Sequence, residues 1–458
     1  MKLKFLGATG TVTGSKYLLT CETDSGGMMR ILVDCGLFQG LKQLRLRNWA
    51  QLPVSPKDID AVVLTHAHID HSGYLPLLVK NGFSGKVYCT EATRDLCEIL
   101  LPDSAHLQEE EADYANRRGF SKHHPALPLY TKEDAQAALE LLSPVAFEQD
   151  VNLDGGLTLR FSPNGHILGS AFVRIHNKKT SILFSGDIGR PNDILMKAPV
   201  RIKQADYLVL ESTYGNRLHD RDDPKSKLAA IINKTAKRRG IVLIPVFAVG
   251  RAQELLYYIH LLKSSGAIAN DIPVYLNSPM AVDATAIFSH HRGEHRLTPE
   301  QCSALCHTAH MVNSVDQSRR LNETKGPMII LSASGMASGG RVVHHLKAFA
   351  PKPNNTILFV GFQAAGTRGS AMLDGAESIK IHGEYIPVRA NVEFISNLSA
   401  HADYSEILDW LGGFEKPPKK TFITHGEPVA ADAMRLHIEE TLRWQVIVPD
   451  YLETVTLS

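Results

Sequence analysis

Short apolar runs separated by glycine turns set the rhythm of the chain through residue 210. Leu3–Leu6, Lys16–Cys21, Arg30–Val33, Ala61–Leu64, Lys86–Cys89, Leu157–Ser162, Ser170–Ile175, Ser181–Ser185 and Tyr207–Leu210 each predict a strand. Helical spacing of apolar residues predicts helices over Thr93–Leu101, Ala105–Arg117 and Lys132–Leu142. Strands and helices in this proportion imply a mixed sheet sandwich with helices outside it.

After Glu211 the pattern changes. Continuous apolar strands alternate with helical segments: Ile241–Val246 then Arg251–Lys263, Val274–Leu276 then Met280–Phe288, Met328–Leu331 then Gly340–Ala350. Strand Thr356–Gly361 follows. Runs buried on both faces and alternating with helices predict a parallel doubly wound sheet. From about Arg389 the first rhythm returns with Val392–Ile395, Tyr404–Leu411, Thr421–Thr424 and a final helix at Val429–Leu442. One domain, 211–390, is therefore expected to interrupt another made of 1–210 and 391–458.

Composition narrows the class. A chain of 458 residues with 44% hydrophobic and 21% charged residues is neither disordered nor collagen-like. Lys+Arg 49 against Asp+Glu 48 leaves a net charge of +1, so any contact with a polyanion must come from local patches. The first residues carry no signal-like apolar stretch, and the six cysteines form no C-x-x-C pair. The expectation is reduced thiols in a cytoplasmic protein with no membrane association.

The 21 histidines direct attention to one segment, Leu64-Thr65-His66-Ala67-His68-Ile69-Asp70-His71. Four metal-ligand side chains follow a buried strand within six residues, and imidazole with carboxylate suits zinc or a similar divalent ion. Further strand ends supply companions. His166 offers a third histidine for one metal, Asp187 a carboxylate placed to bridge two ions, and His425 a ligand for the second. Asp34, after another strand, is placed to orient ligands from behind. Each alone reads more readily as a turn or capping residue. Together they favour a two-metal hydrolase site.

Asp34, His66-x-His68-x-Asp70-His71, His166 and Asp187 resemble the successive motifs of the metallo-β-lactamase superfamily. The downstream part resembles its β-CASP branch of metal-dependent nucleases, with Glu211 in Leu210-Glu211-Ser212-Thr213, His401 in Ser399-Ala400-His401-Ala402-Asp403, and His425. The likeness spans essentially the whole chain and is strongest toward RNA-processing nuclease subunits. It implies an αββα sandwich with an inserted β-CASP domain. It further implies two zinc ions, one held by His66, His68 and His166, the other by Asp70, His71 and His425, with Asp187 between them. A water activated by both ions would then attack the phosphodiester, so no serine or cysteine nucleophile is needed. His401 fits the general acid, paired with Glu211. A histidine at position 425 is typical of RNA-directed members, which points to RNA, and a site roofed by an inserted domain is expected to admit a single strand more easily than a duplex. Family analogy adds a homodimer or an RNA-processing complex. Neither the amino-terminal KH modules nor the carboxyl-terminal extension of some relatives is expected here.

Substrate contacts are sought in the insert. Ser332, Ser334, Gly335, Gly339, Gly340 and Arg341 follow a strand and open a helix, where backbone amides can meet a phosphate. Arg368 repeats the arrangement one unit later, and Arg251 follows Gly250. Tight packing explains such glycines equally well. The same metal motif would also serve hydrolysis of a small ester, thioester or phosphodiester, although Glu211, His401 and the insert are then superfluous. A partner-dependent RNA-processing subunit is the other alternative. A non-catalytic scaffold would be expected to lose ligands, and a nicotinamide enzyme would need a G-x-G-x-x-G fingerprint that is absent.

Overall fold

The computed structural model describes residues 1–23, 26–119 and 121–458. The chain folds into two compact units, Met1–Leu218 with His401–Ser458, and His219–Ala400. Among the described residues no helix is long and apolar enough to cross a membrane.

Two seven-stranded sheets make the first unit. One runs, edge to edge, through Thr454–Thr456, Lys2–Phe5, Tyr17–Glu22, Met28–Val33, Ala61–Val63, Lys86–Cys89 and Leu142–Pro144. The other runs through Val446–Ile447, Lys420–Ile423, Tyr207–Leu210, Ser181–Phe184, Ala171–His176, Leu157–Pro163 and Val151–Leu153. Alternation decides what lies between them. Phe5, Leu19, Ile31 and Val63 from the first sheet share a core with Phe161, Val173, Phe184 and Phe422 from the second. On the outer face of the second sheet, Leu183, Leu208 and Ile423 pack against Ile407, Trp410, Met434 and Ile438 of two carboxyl-terminal helices. Each such side chain contributes about 1.5–3 kcal/mol when fully buried. The result is the expected αββα sandwich.

In the second unit six strands form one all-parallel sheet, ordered His310–Met311, Val274–Leu276, Met328–Ser332, Ile241–Pro245, Thr356–Val360 and Asn391–Ile395. Leu243, Ile330 and Phe359 from its central strands share a core with Val342, Leu346 and Phe349 of helix Arg341–Phe349. Strands covered in this way carry the continuous apolar runs that the sequence displays.

Three expectations need correction. Thr93–Leu101 and Ala105–Arg117 are parts of one helix, Glu91–Arg118, which continues through Pro102. Thr90 caps its start, Gly119 in the left-handed region ends it, and burial of Leu100, Leu101 and Ala105 outweighs the hydrogen bond lost at the proline. The helix at Lys132 stops at Leu139, and Leu142–Pro144 instead pairs in parallel with Lys86–Cys89. Strand Asn391–Ile395 does not rejoin the first unit. It extends the parallel sheet of the second, beside Thr356–Val360. Only Ile395 of this edge strand is buried and Phe394 is exposed, so it lacks the continuous apolar run of the strands beside it.

Candidate metal centre

Strand direction gathers the site. Met28–Val33 and Ala61–Val63 are parallel, so Asp34 and His66 leave the first sheet at one edge. Ser181–Phe184, Tyr207–Leu210 and Lys420–Ile423 are mutually parallel, and release Asp187, Glu211 and His425 together from the second sheet. Leu157–Pro163 is antiparallel to the strand that is itself antiparallel to Ser181–Phe184, so His166 emerges on the same side.

The side chains converge in two groups. In one, the ligand atoms of His66, His68, His166 and Asp187 all lie within 4.8 Å of one another. His68 Nδ1 is 3.1 Å from His66 Nε2 and 3.3 Å from His166 Nε2. Asp70, His71 and His425 form the other, with 3.2 Å between His71 Nε2 and His425 Nε2. Asp187 serves both. Its Oδ2 is 3.5 and 3.6 Å from His66 and His166, and its Oδ1 is 3.3 and 3.4 Å from His71 and His425.

Neighbouring groups fix which nitrogen of each ring faces inward. His71 Nδ1 donates to Asp34 Oδ2 at 2.8 Å, which turns Nε2 toward the cluster. Asp34 also accepts from the Thr65 amide at 2.8 Å and from its hydroxyl at 3.0 Å. Thr65 Oγ1 then accepts from His66 Nδ1 at 3.0 Å. Thr213 Oγ1 does the same for His425 Nδ1 at 3.1 Å. Asp34 and His425 both adopt positive φ, +57° and +49°. That conformation costs about 1–3 kcal/mol at a non-glycine residue, and it is held by surrounding structure. Here the Asp34 amide donates to Val63 O at 2.8 Å and the His425 amide to Ala8 O at 2.7 Å. Gly36 allows a further close approach, because a Cβ there would lie 1.6 Å from the Asp70 carbonyl oxygen.

The electrostatics suit a cation. Burial pushes the His68 imidazole down to about 4 and His66 well below its usual value, so both present lone pairs at neutral pH. For His71 burial acts downward, but Asp187 and Asp34 win and raise its proton affinity. A divalent ion can take the place of that proton. Asp187 is drawn well below the carboxylate range: burial opposes ionisation, but the surrounding His425, His71, His401 and His66 prevail. Its Oδ1 is buried with no hydrogen bond, 3.3 Å from His71 Nε2 and 3.4 Å from the His425 Nδ1 that Thr213 holds. An orphaned carboxylate oxygen among converging imidazoles fits a shared metal ligand, and the donor set fits zinc.

Beside this cluster, His401 Nδ1 lies 3.1 Å from both oxygens of Glu211. Glu211 is itself fixed by the Ile188 amide at 2.6 Å and the Thr213 amide at 3.2 Å. With Nδ1 donating to Glu211, Nε2 of His401 turns toward Asp187 Oδ2, 4.0 Å away.

The expected substrate contacts all lie in the second unit. Ser332 is buried and donates to the Asn277 carbonyl at 3.1 Å. Ser334 Oγ accepts from the Ser338 amide, Gly335 packs on Phe247, Gly340 has positive φ, and Gly339 is open. Arg341 binds Asn277 Oδ1 and the carbonyls of Val312 and Asn313. Arg368 binds the carbonyls of Lys380, Ala337 and Ser338, and Arg251 is buried against Glu254. These guanidinium groups hold loops in place.

Sequence reasoning missed the supporting shell: Thr65, Thr213, Asn164 and Lys16. Asn164 bonds the Ser185 carbonyl, and buried Lys16 donates to the Gly36 carbonyl beneath the Phe38 and Tyr74 rings. Burial lowers the Lys16 ammonium to about 8. Thr65 adjoins His66, and Thr213 and Asn164 each lie two positions from a motif residue, whereas Lys16 had no such signal.

Asp34→Ala is expected to weaken zinc binding about 10–100-fold while the fold persists. Competition with a chromophoric chelator measures this, and an affinity within twofold of native would remove Asp34 from the site.

Residues 26–232 match the family described as "Metallo-beta-lactamase superfamily", 252–372 the "Beta-Casp domain", and 385–449 the "Zn-dependent metallo-hydrolase RNA specificity domain". The chain is 35% identical over 441 residues to "Ribonuclease TTHA0252" of Thermus thermophilus, covering 93% of each. It is 30% identical over 479 residues to "Transcription termination factor FttA" of Methanocaldococcus jannaschii, covering 100% of this chain and 72% of the relative. An "RNase J-like protein" of the same organism is 31% identical over 437 residues, with 93% of each covered. A solved structure, a protein of unknown function from Enterococcus faecalis V583, superposes with a TM-score of 0.52 at 14% identity, over 100% of this chain and 99% of that one. This last likeness concerns the fold alone.

Proposed function

The chain belongs to the metallo-β-lactamase superfamily, in its β-CASP branch, and from that premise we propose a zinc-dependent ribonuclease that hydrolyses single-stranded RNA. The observation that carries the reading is the convergence of seven ligands on one edge of the sandwich, with the Glu211–His401 pair beside Asp187.

His66, His68 and His166 would hold one ion, and Asp70, His71 and His425 the other, with one oxygen of Asp187 facing each group. Two ions so held would supply an activated water and would neutralise charge that develops on the phosphodiester. The protein's own part is orientation and proton handling. Asp34, Thr65 and Thr213 keep ring nitrogens aimed inward. His401 Nε2 gives its proton to the sugar oxygen as the P–O bond breaks, while Nδ1 stays on Glu211. The six unpaired thiols fit a reducing cytoplasm.

The test is a 5′-labelled single-stranded RNA incubated with native, metal-stripped and zinc-restored protein. Cleavage should vanish on stripping and return with zinc, while a duplex of the same sequence is cut poorly. Product sizes separate internal cuts from stepwise removal at the 5′ end. Intact RNA beside a protein holding two zinc ions would overturn the substrate class and favour a small ester.

A further inference from the structure

The loop that carries Asp34 continues into a surface the metal chemistry leaves unused. After Asp34 the chain passes Gly36 and Phe38 and forms a short helix, Lys42–Leu46, none of whose residues is buried. Asn48 ties this segment to the metal-site loop: its Oδ1 accepts from the Phe38 amide at 2.9 Å and its Nδ2 donates to the Phe38 carbonyl at 2.8 Å. Buried at 4% exposure, that asparagine makes the segment a fixed outgrowth of the loop.

What the segment displays is unusual for a solvated surface. Trp49 is 59% exposed and Leu46 57%, with Leu41 beside them in sequence. Between residues 35 and 57 there are four basic side chains, Lys42, Arg45, Arg47 and Lys57, and no acidic one. Lys42, Arg45 and Arg47 make no ion pair among the described residues. Arg47 lies over the Tyr451 ring at 4.1 Å and the Phe38 ring at 5.5 Å, so aromatic surface and positive charge adjoin. A protein with a net charge of +1 has concentrated uncompensated positive charge on one small patch.

We propose that the segment Leu41–Trp49 docks a single-stranded stretch of RNA, with a base stacked on Trp49 and phosphates neutralised by Lys42 and Arg45. The inference rests on the ribonuclease reading and extends it. Charge complementarity selects a polyanion, and the exposed indole selects one that carries flat bases. Every base offers a face to stack on, so the surface adds affinity without sequence preference.

Tryptophan emission provides a readout separate from cleavage, because Trp410 and Trp444 are buried and Trp49 is exposed. A single-stranded uridine oligonucleotide is titrated into the Asp187→Ala variant, with native protein assayed for cleavage in parallel. Quenching by the oligonucleotide is expected. Trp49→Phe should abolish most of it while keeping affinity within about twofold, since a ring remains. Trp49→Ala should weaken binding about tenfold with an unchanged melting temperature. Replacing Lys42 and Arg45 together by alanine should lower the salt-dependence slope by about 1.4.

Cleavage by the native protein with no quenching and no change in slope would overturn the docking surface and leave the ribonuclease standing. Quenching without cleavage would do the reverse. Equal quenching by polyglutamate or phosphatidylserine vesicles would overturn it in favour of an acidic protein or a membrane. An emission change that follows protein concentration alone would point to a second copy of the chain, and would overturn it too.

Discussion

Asp187→Ala should lower RNA hydrolysis by at least about 10³-fold, the equivalent of about 4 kcal/mol of transition-state stabilisation. The reason lies in the two faces of one carboxylate. Oδ2 approaches His66 and His166, and Oδ1 approaches His71 and His425, so one substitution damages both groups. Glu211 also gathers with Asp187 and His425, but its oxygens are taken by His401 and by the Ile188 and Thr213 amides. Metal analysis should show one zinc or fewer per chain, where two are expected in the native protein. Asp187→Asn keeps the shape and removes the charge, and should lose most of the same activity. Two ions and undiminished turnover in either variant would remove Asp187 from the reaction.

The substitution also changes the metal-free protein. Asp187 contributes to the raised proton affinity of His71 and His401. Without it, both imidazoles should release their protons at lower pH. Titration of histidine ring protons in stripped protein would detect this directly.

That the converging side chains of the candidate metal centre were legible in the sequence has a physical cause. His66, His68, Asp70 and His71 cannot be moved apart without losing the geometry that aims them, so their spacing is compressed into one segment. His166, Asp187, Glu211 and His425 are far apart in sequence, yet each follows an apolar strand that announces itself. Central strands are buried by neighbours and by layers on both faces, and they leave strong patterns. Edge strands do not. The pattern missed Leu142–Pro144, Val151–Leu153, His310–Met311, Val446–Ile447 and Thr454–Thr456, and misplaced Asn391–Ile395; these are the two edges of each large sheet. An edge strand gains its place from hydrogen bonds to one partner, which side-chain polarity does not encode. The hidden parts of the site have a similar origin. Thr65, Thr213 and Asn164 act through single hydrogen bonds, and Lys16 looks like any strand lysine until its ammonium is found buried.

His401→Ala should reduce turnover about 10²–10³-fold and leave two zinc ions in place. Its distance separates the roles: Nε2 is 4.0 Å from Asp187, whereas the ligand nitrogens stand at 3.3–3.6 Å. It also has 16% side-chain exposure where His66, His71 and His166 have 2% or less, so it can be reprotonated from solvent. Burial lowers its proton affinity, but Glu211 and Asp187 more than compensate and hold the ring cationic above its ordinary range. An acid in that state works below its pKa, so turnover should fall as pH rises through it. Glu211→Gln removes the main compensating charge. The alkaline limb of the pH–rate profile should then move down by about 1–3 units, with the largest loss of activity at high pH. A substrate whose leaving oxygen is replaced by sulfur needs no proton, and should restore most of the rate in His401→Ala. Loss of zinc from that variant, or a Glu211→Gln profile that keeps its native alkaline limb, would place His401 among the ligands and leave the leaving group to be protonated by water.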